Sequence, residues 1–114
     1  MSEIEARLKL NELGFSREKI EKISIFKDIV LEFNKNYNVI SKNTEKQIWI
    51  RHILDSAQII KFINFDRSAY LADLGTGAGF PGIILSIYNN NLSFHVNLYE
   101  KSKIKCQLLE PHLS

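Results

Sequence analysis

The feature that most constrains this chain is a glycine-rich stretch at residues 71 to 82. Apolar residues at its start run into an acid, Asp73, and four glycines then fall within eight residues. A buried strand that passes into a helix through a tight turn has this pattern. Because glycine has no Cβ and adopts positive φ readily, the pattern also indicates that a ligand lies against the turn.

The usual ligand of such a turn is a phosphate or a dinucleotide, and two details argue against both. The glycines stand at Gly75, Gly77 and Gly79, which departs from the G-x-G-x-x-G spacing, and the Lys-Ser/Thr pair of a P-loop is absent. The carboxylate of Asp73, two residues before the first glycine, would also repel a pyrophosphate. A ligand with a positive charge and no phosphate fits the turn better.

A second acid is predicted at the same edge of the sheet. Residues 94 to 99 alternate between apolar and mixed side chains, as in a strand covered on one face, and Glu100 follows them. An acid at the tip of a second strand, about 20 residues after the turn, is suited to accept hydrogen bonds from ribose hydroxyls. Asp73, the three glycines and Glu100 together favour an S-adenosylmethionine site, because that ligand carries an ammonium and a sulfonium. The alternative is a glycine-rich turn with two surface acids.

Two amphipathic helices are predicted at the start of the chain. The first covers residues 2 to 13, and Gly14 is placed to end it. Its predicted inward residues are Ile4, Leu8 and Leu10. Ser16 is expected to cap the second helix, and the asparagine-rich residues 34 to 38 to interrupt it. The apolar stripe of this helix consists of Ile20, Ile23, Phe26, Val30, Phe33 and Tyr37.

Two further helices are expected before a linker at residues 64 to 68. Thr44 and Gln47 have the spacing of a capping box, and Asp55 or Ser56 is expected to cap the next helix. After the linker the chain changes to a strand, the glycine turn, a helix, a strand and the start of another helix. This succession predicts the α/β class, with a helical extension at residues 1–66 and a domain at residues 67–114 that begins a β-α-β unit.

A polar group at Arg51, His52, Asp55 and Ser56 is open to two interpretations. Residues three or four apart are neighbours on a helix, so the group forms either a salt bridge with a cap at a helix end or a surface that orders the glycine turn. A Ser-His-Asp hydrolase does not fit, since neighbours on one helix rarely reach triad geometry and the nucleophile-elbow pattern is missing.

Composition limits the remaining function classes. The single cysteine, Cys106, excludes an internal disulfide and fits a reducing cytoplasm, and its apolar neighbours predict a small core residue. The three histidines lack ligand-like spacing with this cysteine, so no metal is expected. No apolar run approaches the ~20 residues needed to cross a bilayer, and the acidic N-terminus lacks the apolar core of a signal peptide.

The net charge of +2, with a pI of about 8.7, permits contact with nucleic acid without requiring it. The basic residues between the second helix and the linker form either an RNA-binding face or a solvated surface. These residues are Lys35, Lys42, Lys46, Arg51 and Lys61.

Three blocks, in this order and spacing, resemble the RsmG/GidB family of bacterial small-subunit (16S) ribosomal RNA guanine-N7 methyltransferases. The blocks are residues 33 to 38, residues 51 to 56 and residues 73 to 82. The glycine block alone would indicate only a methyltransferase that uses S-adenosylmethionine. Its ending, Pro81-Gly82, and the Arg-His-x-x-Asp-Ser block upstream make the resemblance specific.

The resemblance implies a helical extension followed by the first β-α-β of a Rossmann-like class I methyltransferase fold, with an incomplete sheet. It implies methyl transfer from S-adenosylmethionine to guanine N7, with small-subunit ribosomal RNA or the ribosomal subunit as partner, in the cytoplasm. By the same analogy the backbone around Gly75 and the Phe80 position contact the cofactor, Asp73 and Gly77 shape the loop, and Glu100 binds the ribose. The resemblance identifies no catalytic residue. N7 already carries a lone pair, so catalysis would consist mostly of positioning.

Members of that family are roughly twice as long, and Pro111 is placed to end the last helix early. A chain truncated to its N-terminal half is therefore expected. One hypothesis is an enzyme, either complete in function or acting with a second chain that carries the C-terminal half. The other is a remnant with a cofactor loop and no turnover.

Overall fold

The computed structural model describes residues 2–112. Helices make up the first part of the chain, and a two-stranded parallel sheet that alternates with helices makes up the second. The predicted α/β class and the incomplete Rossmann-like sheet are confirmed. Within the described range, no helix is both long and apolar enough to span a bilayer.

The first helix, α1 (Glu3–Glu12), starts at the predicted place because the Ser2 side chain accepts a hydrogen bond from the Glu5 amide. Gly14 follows it at φ 107°, as expected. The predicted inward face was wrong except for one residue: Ala6 and Leu10 are buried, whereas Ile4 and Leu8 are 72% and 60% exposed. The two pairs lie about 200° apart around a helix, so only one of them can face the core.

The second helix, α2 (Arg17–Tyr37), is capped by Ser16 and buries most of the predicted stripe. It continues through Asn34, where an interruption was predicted. The Asn34 side chain donates to Glu45 Oε2 at 3.0 Å and accepts from the Ile40 amide at 2.9 Å. Because these partners lie outside the helix, Asn34 does not compete with the helical hydrogen bonds. The helix ends at Asn38, which adopts a left-handed conformation with φ 49°.

Both predicted caps in the next segment were wrong. Helix α3 (Lys42–Glu45) is capped by Ser41, whose Oγ accepts from the Thr44 amide. A π-helical turn (Trp49–Leu54) then runs without a break into α4 (Asp55–Ala57) and a 3₁₀ turn (Gln58–Phe62). Asp55 is helical and makes no capping bond there, because the chain only changes its helical pitch at this position.

Strand β1 (Ala69–Leu74) pairs in parallel with β2 (Phe94–Tyr99), and α5 (Gly82–Tyr88) connects them. Helix α6 (Lys103–Leu109) follows, capped by Ser102, and a 3₁₀ turn (Glu110–His112) succeeds it. One face of the sheet packs on the core. The other face leaves Tyr70, Leu74 and Tyr99 exposed by 77%, 77% and 52%.

One cluster of buried side chains joins the N-terminal helices to α5 and α6. Its largest fully buried members include Phe15, Phe26, Ile53, Ile83, Leu85 and Leu108. The boundary between residues 66 and 67 stays a prediction, since this core runs across it. Cys106 lies outside the buried core: it is half-buried, and its Sγ donates to the Glu100 carbonyl at 3.4 Å, which corrects the sequence prediction.

Candidate functional site

Asp73 ties the two ends of the glycine loop together. Its Oδ2 accepts hydrogen bonds from Thr76 Oγ1 at 2.6 Å and from the Gly82 amide at 2.9 Å. A Cβ at Gly82 would lie 2.7 Å from that oxygen and 2.7 Å from Leu98 Cγ, so a side chain would block this approach. Asp73 therefore acts as an internal brace of the loop.

Glu100 holds the outer side of the loop at the end of β2. Its Oε1 accepts from the Gly77 amide at 2.8 Å, and its Oε2 accepts from the Ser102 amide at 2.9 Å. The Gly75 and Thr76 amides donate to the Tyr99 carbonyl at 2.8 and 3.1 Å. These bonds bring the two predicted acids to the same edge of the sheet, one inside the loop and one beside it.

The three glycines of the predicted site have different environments. Gly75 and Gly77 have φ values of 66° and 62°, and an added Cβ would meet nothing within 4 Å at either position. Gly79 has φ 99°, and a Cβ there would lie 2.7 to 3.0 Å from Ile83, Leu109 and Phe26. Gly75 and Gly77 thus leave open space beside the loop, whereas Gly79 is a close contact with the core.

Phe80 ends the loop against a side chain from the Arg51–Ser56 block. Its ring centroid lies 5.1 Å from that of His52, with 28° between the ring planes. Burial lowers the pKa of His52 below its ordinary value of 6.5, only partly opposed by Asp55, so the ring is neutral at pH 7. This contact supports the interpretation in which the block packs beside the glycine turn.

The other interpretation of this block, a salt bridge with a cap at a helix end, was wrong. Within residues 2–112, neither Arg51 nor Asp55 belongs to an ion pair. Arg51 Nε donates instead to Gln47 Oε1 at 3.3 Å. Ser56 donates to the His52 carbonyl and so caps no helix.

A sequence model of the GidB family, described as rRNA small subunit methyltransferase G, matches residues 19–113. The matched range contains the loop, both acids and the His52 block. The chain belongs to the GidB family.

Several Rickettsia proteins named ribosomal RNA small subunit methyltransferase G are similar to this GidB chain. The protein of Rickettsia bellii (strain OSU 85-389) is 41% identical over 117 residues, which cover 81% of this chain and 60% of the relative. The protein of Rickettsia akari (strain Hartford) is 46% identical over 95 residues, covering 83% and 48%. The chain thus spans about half the length of the curated relatives it matches. No solved structure gives a significant match.

Sequence reasoning missed three residues that build this part of the GidB chain. Thr76 is buried and donates to Asp73, Gly82 supplies the second donor to the same oxygen, and Ser102 binds Glu100. Gly82 and Ser102 carried signals, because Gly82 closes the glycine motif and serine is a preferred residue at the start of a helix. Thr76 carried none, since a threonine between glycines is ordinary turn composition.

Glu100 is expected to make the loop sensitive to acid. The amides of Ser102 and Gly77 bind its charged form and lower its pKa below the ordinary value of 4.5. The stabilisation of the folded loop by the Glu100 carboxylate is therefore complete above about pH 4.5. It is lost as the pH falls through the lower pKa of Glu100 in the folded state. We expect the Gly77 amide resonance to titrate below pH 4.5 in NMR spectra. Glu100→Gln should abolish that titration, and a Gly77 resonance that titrates equally in both proteins would contradict the assignment.

Proposed function

We propose that this chain provides the S-adenosylmethionine loop of a methyltransferase that methylates guanine N7 in small-subunit (16S) ribosomal RNA. The observation that carries the proposal is the braced loop, with Gly75 and Gly77 beside open space and the Glu100 carboxylate at the same edge. This geometry occurs in a chain of the GidB family, and its Rickettsia relatives bear the name of a ribosomal RNA methyltransferase.

The residues present fit the cofactor. The positions of Gly75 and Gly77 form a cradle that side chains would fill, and the Phe80 ring stands at the end of the loop. Each Glu100 oxygen has two acceptor lone pairs, and the structure uses one on each for a backbone amide. The remaining lone pairs are available to ribose hydroxyls. Asp73 and Gly79 contribute from inside the loop, by bracing and by packing.

When bound, the cofactor supplies an electrophilic methyl group on its sulfonium. Guanine N7 has a lone pair in its neutral form, so this chain needs no general base for the reaction. Its residues would act by orientation: Glu100 and the Gly75 backbone hold the donor, and Phe80 limits its position. Alignment of this kind supplies a large part of the barrier reduction in reactions between two bound groups.

The proposed partners are small-subunit ribosomal RNA, in the cytoplasm, and a second polypeptide that supplies the rest of the fold. Sheets with parallel strands are normally covered on both faces, whereas here Tyr70, Leu74 and Tyr99 are exposed on one face. A two-stranded sheet with one open apolar face is expected to be only marginally stable in water. The alternative function is a remnant that keeps the loop and has no turnover alone.

Calorimetry and a methylation assay test the proposal together. We expect the chain to bind S-adenosylmethionine with a roughly micromolar Kd, about −8 kcal/mol, and Gly75→Asp to abolish binding. Gly75 is a suitable position because an added Cβ there meets nothing within 4 Å, so its φ of 66° adds only the backbone strain of about 1 to 2 kcal/mol. Absence of binding to the unaltered chain would overturn the proposal for this chain alone.

The methylation assay separates the two hypotheses. Undermethylated small subunits are incubated with the chain, with and without the C-terminal portion of a Rickettsia relative. Methylated guanine from the chain alone would exclude the remnant. Methylation only with the second polypeptide would support the two-chain enzyme, and none in either arm would favour the remnant.

A further inference from the structure

Phe80 is held by aromatic side chains from two other elements. Phe26 of α2 approaches its ring at 5.8 Å, tilted by 59°, and is itself 1% exposed within the core. His52 of the π-helical turn stacks on the same ring at 5.1 Å and 28°. Phe26 is fixed by packing on all sides, so the orientation of Phe80 at the loop depends on the partly exposed His52.

Thr44 fixes the His52 ring at its edge. The His52 Nε2 atom lies 2.8 Å from Thr44 Oγ1. Thr44 Oγ1 also lies 3.1 Å from the Ser41 carbonyl and 3.0 Å from Ser41 Oγ, so the hydroxyl beside His52 is itself held by the start of α3. One hydrogen bond at the ring edge and one stacking contact at the ring face leave the imidazole little freedom.

The backbone of the π-helical turn accounts for the placement of His52. Ile53 and Leu54, the next two residues, are 0% and 5% exposed and anchor the turn in the core. Ser56 Oγ donates to the His52 carbonyl at 2.5 Å and so holds the same residue from the following turn. π-Helical turns are rare and occur frequently at functional sites, where the wider turn redirects a side chain.

We propose that His52 is a positioning residue of the methyl-donor site, which orients the Phe80 ring against S-adenosylmethionine while Thr44 locks the imidazole. The inference rests on the proposed function, because that function assigns the ligand. His52 acts through Phe80 and touches no reacting atom. Its role is therefore distinct from that of a catalytic acid or base.

The chain contains a matched control for the test. His95 stacks on Tyr70 at 4.9 Å and 20°, a pair with the same chemistry on the open face of the sheet. The variants are His52→Ala, His52→Phe, Thr44→Val and, as control, His95→Ala. Each protein is examined by NMR, for the Phe80 ring protons and the His52 ring nitrogens, and by calorimetry with S-adenosylmethionine.

We expect His52→Ala to shift the Phe80 ring resonances and to weaken binding by about three- to tenfold, the contribution of one aromatic pair. His52→Phe keeps a stacking ring and should stay within about twofold of the unaltered chain. Thr44→Val removes the hydroxyl beside His52 Nε2 and should shift the resonances of the His52 ring nitrogens. His95→Ala should leave both the Phe80 resonances and the affinity unchanged.

Unchanged Phe80 resonances in His52→Ala would overturn the proposal, and so would an equal loss of affinity in His95→Ala. If His52→Ala does not fold, His52→Phe and Thr44→Val decide the question with the same two measurements. An unaltered chain that binds no S-adenosylmethionine overturns the assigned ligand. The NMR result would then show separately whether His52 holds Phe80.

Discussion

Replacing Gly79 by alanine is expected to destabilise the chain by about 4 kcal/mol, from backbone strain and overpacking of about 2 kcal/mol each. The backbone has φ 99° at this position, where L side chains are strained. An added Cβ would also lie 2.7 Å from Ile83 Cγ1, 2.8 Å from Leu109 Cδ2 and 3.0 Å from Phe26 Cζ. Denaturant unfolding followed by circular dichroism measures the change.

The matched control is Gly77→Ala. Gly77 also has positive φ, 62°, but an added Cβ meets nothing within 4 Å. Only the backbone term applies, so we expect a loss of about 1 to 2 kcal/mol. Equal losses in the two variants would show that Gly79 is not packed against the core in the way described. A folded Gly77→Ala beside an unfolded Gly79→Ala would support the description.

Asp73→Ala is expected to cost about 3 kcal/mol, because a charged acceptor of two hydrogen bonds is removed. Thr76, a residue that is only 3% exposed, would lose the acceptor of its hydroxyl, and the Gly82 amide would lose the same acceptor. The loop should open, and hydrogen exchange at the Gly82 amide should accelerate. Unfolding by denaturant and amide exchange by NMR together measure the effect.

Two further variants separate charge from shape at this position. Asp73→Asn keeps one carbonyl oxygen at the same place, so we expect roughly half of the loss, about 1.5 kcal/mol. Asp66→Ala removes an exposed carboxylate from the linker and should change stability by less than ~0.5 kcal/mol. If Asp73→Ala resembles Asp66→Ala, the proposed brace does not hold the loop.

Local signals were reliable where the physical cause is itself local. Ser16 caps the second helix as predicted, because a cap needs only a side-chain oxygen and an amide three residues away. The predicted cap at Thr44 failed, although its pattern was equally good. Its hydroxyl lies instead beside His52 Nε2, a partner eight residues away whose proximity depends on the fold.

The buried faces of the helices also divide into one that local sequence predicts and one that depends on the tertiary fold. The stripe of α2 was predicted from apolar residues three or four apart along a helix long enough to show the period, and four of its six members are buried. On α1 two apolar pairs competed for one contact face, and Ala6 with Leu10 prevailed over the larger Ile4 with Leu8. A small residue permits closer approach of two helices, and this preference is absent from a hydrophobicity pattern.

For the glycine stretch at residues 71 to 82, the sequence by itself determined the order of strand, turn and helix and placed two acids at one edge of the sheet. The RsmG/GidB resemblance was also carried by the sequence alone, and the family is confirmed. Only the tertiary structure separated Gly79, which packs inward, from Gly75 and Gly77, which leave open space. Only the tertiary structure placed His52 on Phe80. The physical reason is that conformational freedom is a property of the residue, whereas its neighbours are supplied by distant parts of the chain.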